Sequence, residues 1–442
     1  MLRRKFYDIL LNWKRTKKNE CLLVKGARQI GKTFIINQFG KTEYSSYIYI
    51  NFIESPDQKH IFEGSLEAKE IYKKISIYLP NINYVDNNTL IFIDEIQSCP
   101  RARTALKFLV LDNKYDVIAS GSLLGLHYNR LVEMEKEEEV SISIPVGYER
   151  EIEMFSLDFE EFLWANGIGE NAINQLKEYF TEKKFIEEYI NNRYLNILRT
   201  FLIVGGMPEV VNNYLDSNNF QKSYSTQQKI LKAYEYDIDH YAKNIEKPKI
   251  KNCYYSIPRQ LAKEYTKFQY KSIEKNGSSR KYANSIEWLI DAGFVKKVNN
   301  LSVPLMPLVA YEKEEDFKIY VSDIGLLTSM FGYPTQTALY NDTLSGAAKG
   351  GIYENLIFDI LIKKGKKLNY YKNQNNSQEI EFLYENESGV IPIEVKSSRG
   401  QTISLNEFIK EYNPQIAYKL ITGNIGQTGK KFTLPLYMAM FL

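Results

Sequence analysis

At 442 residues, with 44% hydrophobic and 25% charged side chains, the chain is too long for one hydrophobic core and too apolar for disorder, so two or three packed domains are expected. A net charge of +3 permits contact with a polyanion but excludes the strongly basic balance of an obligate nucleic-acid binder. Three cysteines, Cys21, Cys99 and Cys253, are odd in number and show no paired spacing, which argues against a disulfide framework or a zinc site and for a reducing cytoplasm.

The N-terminal MLRRKFYDILLNWKRTKKNE reads as an amphipathic helix and not a signal peptide, because Asp8, Asn12 and Lys14 break its apolar patch. No apolar run approaches the roughly 20 residues that span a bilayer, so no membrane contact is expected. Strand-like runs follow at 21–24, 47–52, 89–93, 116–119, 142–146 and 151–155, with helix-compatible segments between them. Several are continuously apolar, as strands buried on both faces of a parallel sheet are. The spacing predicts an α/β domain over residues 1–165.

Residues 166–245 read as a helical appendage, with helical runs at 172–185 and 224–241 interrupted by VGGMPEVV at 204–211. Residues 246–345 form a segment and connector in which three short helices and the strand FVKKV resemble a helix-turn-helix with a wing. From 346 to 442 a helix (AKGGIYENLIFDILIKKGKK), strands at LNYYKNQ, QEIEFLYEN and VIPIEVKSS, a helix at NEFIKEYNP and a final QIAYKLITG predict a second α/β unit.

The first chemistry-bearing motif lies where the first strand meets the first helix of the α/β domain. Gly26-Ala27-Arg28-Gln29-Ile30-Gly31-Lys32-Thr33 fits G-x-x-x-x-G-K-[ST] in full. Its glycines let the backbone curl so that successive N–H groups face a polyphosphate, and the helix N-terminus adds partial positive charge. Lys32 would reach the outer phosphates, and the Thr33 hydroxyl would take one position on Mg²⁺, a hard ion that prefers oxygen. Residues Gly26 to Thr33 and Phe34 form the candidate nucleotide site.

Downstream, TLIFIDEIQ places Asp94 and Glu95 at the carboxyl end of an apolar strand, where a doubly wound sheet presents its ligands. Asp94 would hold the Mg²⁺ through water, and Glu95 would orient or deprotonate an attacking water. The next strand ends ASGSLLG and offers Ser120 or Ser122 as the group that senses the terminal phosphate.

GARQIGKT, TLIFIDEIQ, ASGSLLG, IPVGYEREIEMFSLDFEEFL and VGGMPEVV together resemble the bacterial and archaeal AAA-type ATPases of the AAA_14 kind, which join a P-loop domain to a C-terminal DUF4143 domain. The resemblance covers nearly the whole chain. It implies a P-loop NTPase fold with an additional central strand and a catalytic glutamate, ATP and Mg²⁺ as cofactors, and hydrolysis completed by an arginine. Arg130, Arg150 and Arg259 are the candidates, with Arg150 ranked first because it follows a strand.

In the C-terminal unit, Glu381 in EIEFLY and Glu394 with Lys396 in PIEVKSS sit on consecutive predicted strands, and Glu354 sits on the preceding helix. The E-x-K spacing puts Glu394 and Lys396 on one strand face, an arrangement similar to the PD-(D/E)xK nuclease core and a candidate second metal site. Glutamate at 381, where that core normally has aspartate, is a departure; the other reading is a solvated strand face with a Glu–Lys pair.

Arg259, Lys263, Lys267, Arg280 and Lys281 could meet DNA phosphates from the wing segment, which would otherwise serve as a packing module. The 34 tyrosines follow compositional bias, and His60, His127 and His240 share no ligand spacing. The expected function is a cytoplasmic Mg²⁺-dependent ATPase whose nucleotide state is coupled to a nuclease-like domain. Its expected partners are ATP or ADP, then DNA, another protein or a second copy. A slowly turning nucleotide switch and an ATP-regulated nuclease are the alternatives.

Overall fold

A computed structural model describes residues 1–17, 19–79, 82–123, 147–263, 267–373, 378–396 and 402–442. The expected strand at 142–146, Arg130 and His127 lie outside them. The chain divides into two compact units, Arg4–Ser156 with Asp291–Gly293, and Met1–Arg3 with Leu157–Ile290 and Phe294–Leu442.

In the first unit, α1 (Lys5–Thr16) buries Phe6, Leu10 and Trp13, spaced to share one helix face. Among the described residues the unit's sheet has five strands, β1 (Cys21–Gly26), β2 (Ser46–Asn51), β3 (Thr89–Asp94), β4 (Asp116–Ser122) and β5 (Glu149–Glu153). Their order is β2-β3-β4-β1-β5, and every neighbouring pair is parallel. Helices α2 (Lys32–Glu43), α3 (Ala68–Tyr78) and α4 (Pro100–Asp112) supply the crossovers that parallel pairing requires.

Pattern and position agree strand by strand. All six residues of TLIFID are buried, as an interior strand covered on both faces must be. SYIYIN alternates instead: Ile48 and Ile50 enter the core beside Ile91 and Ile93, while Tyr47 and Tyr49 project to the other face. β4 lies between β1 and β3, so the additional central strand implied by the resemblance is present. The parallel register brings Gly26 level with Ser122 and Asn51 level with Asp94, so the functional candidates gather at the carboxyl edge of one sheet.

In the second unit, α5 (Phe159–Ala165) opens with a capping box in which Asp158 and Glu161 satisfy each other's backbone N–H groups. Helices α6 (Glu170–Glu182), α7 (Glu188–Val204), α8 (Pro208–Ser217) and α9 (Phe220–Tyr241) occupy the stretch read as helical. The VGGMPEVV interruption is a packing joint. A Cβ on Gly205, whose φ is +71°, would lie 2.3 Å from Asp323 Oδ1, and one on Gly206 would lie 2.1 Å from the Leu157 carbonyl. The Gly206 N–H donates to Asp323 Oδ2 at 2.9 Å, while Asp323 Oδ1 caps α12 (Ile324–Met330).

The segment after α10 (Lys247–Leu261) departs from the expectation of three short helices. Its middle helix is a single 3₁₀ turn, Tyr270–Ser272, before α11 (Ser279–Asp291). Strand β6 (Val295–Leu301) overlaps the expected FVKKV strand and forms an antiparallel hairpin with β7 (Glu312–Val321), and β6 also pairs in parallel with β8 (Asn369–Lys372). The hairpin is therefore the edge of a mixed eight-stranded sheet that continues through β9 (Glu379–Asn386), β10 (Gly389–Val395), β11 (Ala417–Ile421), β13 (Lys431–Pro435) and β12 (Gly426–Thr428). Helix α13 (Tyr333–Tyr340) leads to α14 (Ala347–Lys363), which is buried from Gly351 through Leu361, and α15 (Ile403–Tyr412) follows β10.

Two adjacent glycines of α14 differ in what they tolerate. A Cβ on Gly351 would lie 1.9 Å from the Leu261 carbonyl, whereas one on Gly350 meets nothing within 4 Å. Gly351→Ala should therefore cost about 1–3 kcal/mol of stability through forced displacement of backbone. Gly350→Ala should be neutral or stabilising by up to about 1 kcal/mol, because alanine is the better helix former. Thermal unfolding of the two variants checks this contrast.

Candidate functional site

The turn after β1 is shaped by close backbone approach. A Cβ on Gly26 would lie 2.4 Å from the Met154 carbonyl, and Gly31, with φ +91°, caps α2 in the left-handed region that glycine adopts most readily. Gln29 is left-handed too, with φ +64°. Arg4 braces the turn from outside the motif, donating to the Ile30 carbonyl at 3.2 Å and the Phe155 carbonyl at 2.6 Å.

Lys32 is buried and folded back on the turn, its amine donating to the carbonyls of Gly26 at 3.0 Å and Ala27 at 2.8 Å. Burial lowers its pKa to about 8, with Glu95 and Asp94 pulling the other way. Ala27, Arg28 and Gly31 are half-buried, Ile30 is buried, and Gln29 and Phe34 are exposed. The Thr33 hydroxyl donates to Asp94 Oδ2 at 2.8 Å across 61 residues of sequence.

Asp94 collects donors from four elements. Besides Thr33 on α2, Oδ2 accepts from the Tyr49 hydroxyl of β2 at 3.1 Å. Oδ1 accepts from the Ser120 hydroxyl of β4 and from the Glu95 N–H at 3.1 Å. Glu95 itself is held in the left-handed region, φ +52° and ψ +43°, a conformation that costs a non-glycine residue about 1–3 kcal/mol and that turns the chain sharply after Asp94. Its carboxylate accepts from the Gln97 side-chain amide. Ser122 is buried at the end of β4, level with Gly26.

Arg150 is not brought to this edge. It pairs in register with Leu22, four residues before Gly26 and about 13 Å back along β1 at the usual strand rise, and it forms an ion pair with Glu20 at 2.5 Å. Arg259 and Lys263 both donate to Ser272, while Lys267 pairs with Asp316 at 3.1 Å and Lys281 with Glu274 at 2.5 Å. Protein groups thus hold four of the five cations considered for phosphate contact, and Arg280 is exposed.

Residues 18–163 match the AAA domain family AAA_14, residues 195–337 a domain of unknown function, DUF8612, and residues 349–437 the domain of unknown function DUF4143. The chain joins an AAA domain to a C-terminal DUF4143 domain. None of the curated proteins matches it. Among solved structures it is similar to the Walker-type ATPase PABY2304 of Pyrococcus abyssi, at 15% identity over 75% of this chain and 96% of that one, with a TM-score of 0.41. It is also similar to the Orc1 protein of Aeropyrum pernix in complex with DNA, at 13% identity over 76% and 92%, TM-score 0.27. A third likeness is to AMPPCP-bound DnaA from Aquifex aeolicus, at 15% identity over 65% and 88%, TM-score 0.28. No helix among the described residues is long and apolar enough to cross a membrane.

In the DUF4143 domain, Glu381, Glu394 and Lys396 do come together, as an ion network. The Lys396 amine lies 3.0 Å from Glu381 Oε1 and 3.3 Å from Glu394 Oε1. Glu354 has a different partner, 2.7 Å from the buried amine of Lys318 and hydrogen-bonded by the Tyr320 hydroxyl, and Lys318 also meets Glu379 at 2.7 Å. Burial pushes Glu381 up to about 7 against the pull of Lys396, and burial raises Glu394 as well. Glu394 Oε2 is buried without a hydrogen-bond partner, yet among the described residues no three His, Cys, Asp or Glu side chains are arranged to hold a metal ion.

Sequence reasoning missed Arg4, Tyr49 and Gln97. Tyr49 was readable in part, since the alternation of SYIYIN puts it on the face of β2 that also carries Asn51. Arg4 carried no local signal.

The network makes a pH-dependent prediction. Lys396→Met leaves Glu381 and Glu394 facing each other without the shared cation, and at pH 8 both carboxylates are driven to ionise. The variant should lose about 1–3 kcal/mol at pH 8, less than for a fully buried pair because the amine is partly exposed. The loss should shrink at pH 5, below the raised pKa of Glu381, where a proton replaces the lysine charge. Unfolding curves at the two pH values check the sign.

Proposed function

We propose that the AAA domain binds ATP with Mg²⁺ and hydrolyses it, and that its nucleotide state is transmitted to the unit carrying the DUF4143 domain. The observation that carries this reading is the 2.8 Å contact of Thr33 with Asp94, which unites the phosphate turn and the strand-end acids at one sheet edge. A hydroxyl and a carboxylate are oxygen donors suited to a hard divalent cation, and Gly26, where a Cβ would lie 2.4 Å from the Met154 carbonyl, lets the turn start tight against the neighbouring backbone. Bound Mg²⁺ would supply charge that offsets the phosphate oxygens.

The chain's own groups then have separable roles. Backbone N–H groups from Gly26 to Thr33 and the start of α2 take the phosphates. Lys32 would exchange the carbonyls of Gly26 and Ala27 for an outer phosphate, and Thr33 and Asp94 are the residues that would hold the cation. Glu95 orients the attacking water once Gln97 releases it. Ser120 holds Asp94 in place, and Ser122 faces the terminal phosphate. The Gln97 contact, which engages the Glu95 carboxylate, favours a second reading, a nucleotide switch with slow turnover.

The DUF4143 domain responds to the nucleotide; Lys396 and Lys318 serve there as internal counter-ions of Glu381, Glu394 and Glu354. Three free thiols support a cytoplasmic setting.

Purified protein should hydrolyse ATP in the presence of Mg²⁺. Lys32→Ala should lower turnover by at least about a hundredfold through loss of phosphate charge stabilisation. Glu95→Gln should lower it by about 10²–10⁴-fold while ATP still binds. Parent-like hydrolysis by both variants would exclude this site, and a single turnover without a steady state would favour the switch reading.

A further inference from the structure

Tyr49 belongs to neither motif, yet its hydroxyl meets the same oxygen of Asp94 that Thr33 does. The direction of that hydrogen bond is fixed by a chain of partners. Asn51 uses its side-chain Oδ1 to accept the backbone N–H groups of Ile53 at 2.9 Å and Glu54 at 3.1 Å. Its Nδ2 must therefore face the other way, and it donates to the Tyr49 oxygen at 2.7 Å. With its oxygen so engaged as acceptor, the phenol directs its proton to Asp94 Oδ2 at 3.1 Å. The Asn51 backbone is anchored too, its N–H donating to Gln58 Oε1 at 2.9 Å.

The two donors on Oδ2 are not equivalent. Thr33 sits at the first turn of α2, and on the proposed function its hydroxyl turns from Asp94 to the cation. Tyr49 stands on the neighbouring strand β2, where it packs on Phe92 of β3 with ring centroids 5.5 Å apart. After Thr33 leaves, the phenol stays as a side-chain donor on that oxygen.

We propose that Tyr49 is a positioning residue for the metal site, holding Oδ2 of Asp94 in the orientation that receives Mg²⁺ when nucleotide arrives. The inference rests on the proposed function, since it assigns Asp94 to the cation. Tyr49 itself touches neither nucleotide nor metal. It acts through the carboxylate, by the hydrogen bond that Asn51 directs.

Tyr47 provides the control. It lies two residues upstream on the same face of β2, stacks on Tyr49 with centroids 6.5 Å apart, and hydrogen-bonds Asn37 and not Asp94. Tyr47→Phe therefore removes a phenol from the same strand face and leaves the carboxylate alone.

The test is equilibrium binding of a fluorescent ATP analogue to the full chain with and without Mg²⁺, followed by the Mg²⁺ concentration that half-saturates ATP hydrolysis. In Tyr49→Phe, affinity measured without Mg²⁺ should match the parent, while the tightening produced by Mg²⁺ should shrink about tenfold, the value of one hydrogen bond to a charged group. Half-saturating Mg²⁺ should rise by a similar factor. Tyr47→Phe should match the parent in both readouts. Equal Mg²⁺ responses in Tyr49→Phe and the parent, or equal losses in the two phenylalanine variants, would overturn the inference and leave the ATPase reading standing. A parent that shows no Mg²⁺-dependent tightening would overturn both.

Discussion

A carboxylate with 2% exposure at the end of a buried strand is costly unless its charge is met by donors, and Asp94 is met by four of them. They come from α2, β2, β4 and the residue that follows β3 itself. The parallel order β2-β3-β4-β1-β5 is what makes this convergence geometrically available, because β3 lies between the strands that carry Tyr49 and Ser120. Satisfying one charge thus ties together the segments from which a phosphate site is built. The strained backbone of Glu95 belongs to the same constraint, since its N–H is one of the four donors.

The phosphate turn and the strand-end acids were legible in the sequence because their chemistry is local: the glycines, Lys32 and Thr33 sit within eight residues, and Asp94 and Glu95 end one apolar run. The strands of the first sheet were legible for a similar reason, continuous burial leaving continuous apolar runs. What sequence could not convey was register. Arg150 follows a strand, as read, but pairing with Leu22 sets it near the opposite edge from Gly26. Arg4 braces the turn through contacts 26 and 151 residues away, and no spacing rule reports such a contact.

The second unit shows the same division. Helix and strand types in residues 349–437 follow from periodicity, while the joining of β6 to β8 depends on pairing between segments about 70 residues apart. VGGMPEVV, which reads as an interruption between helical runs, is a place where Gly205 and Gly206 admit Asp323 and the Leu157 carbonyl. The acidic set also changes meaning in three dimensions. Spacing left two readings, metal ligands or a Glu–Lys pair on a strand face, and the structure gives Glu381 and Glu394 a shared lysine and gives Glu354 a different one. Buried carboxylates with internal cations form a structural network, in which removing one partner leaves a buried charge uncompensated.

The central claim is that the buried amine of Lys32 waits on its own loop until a polyphosphate replaces the carbonyls of Gly26 and Ala27. Because burial lowers that amine to about 8, the most direct measurement is ATP affinity across pH 7 to 9.5 by calorimetry. Only the protonated amine offers charge to phosphate, so binding should be near constant below pH 8 and should weaken above it, approaching about tenfold per pH unit as each binding event must first take up a proton. Lys32→Arg, which stays protonated throughout, should lose that slope. No ATP binding at any pH, or a parent and Lys32→Arg profile that fall together, would contradict the account.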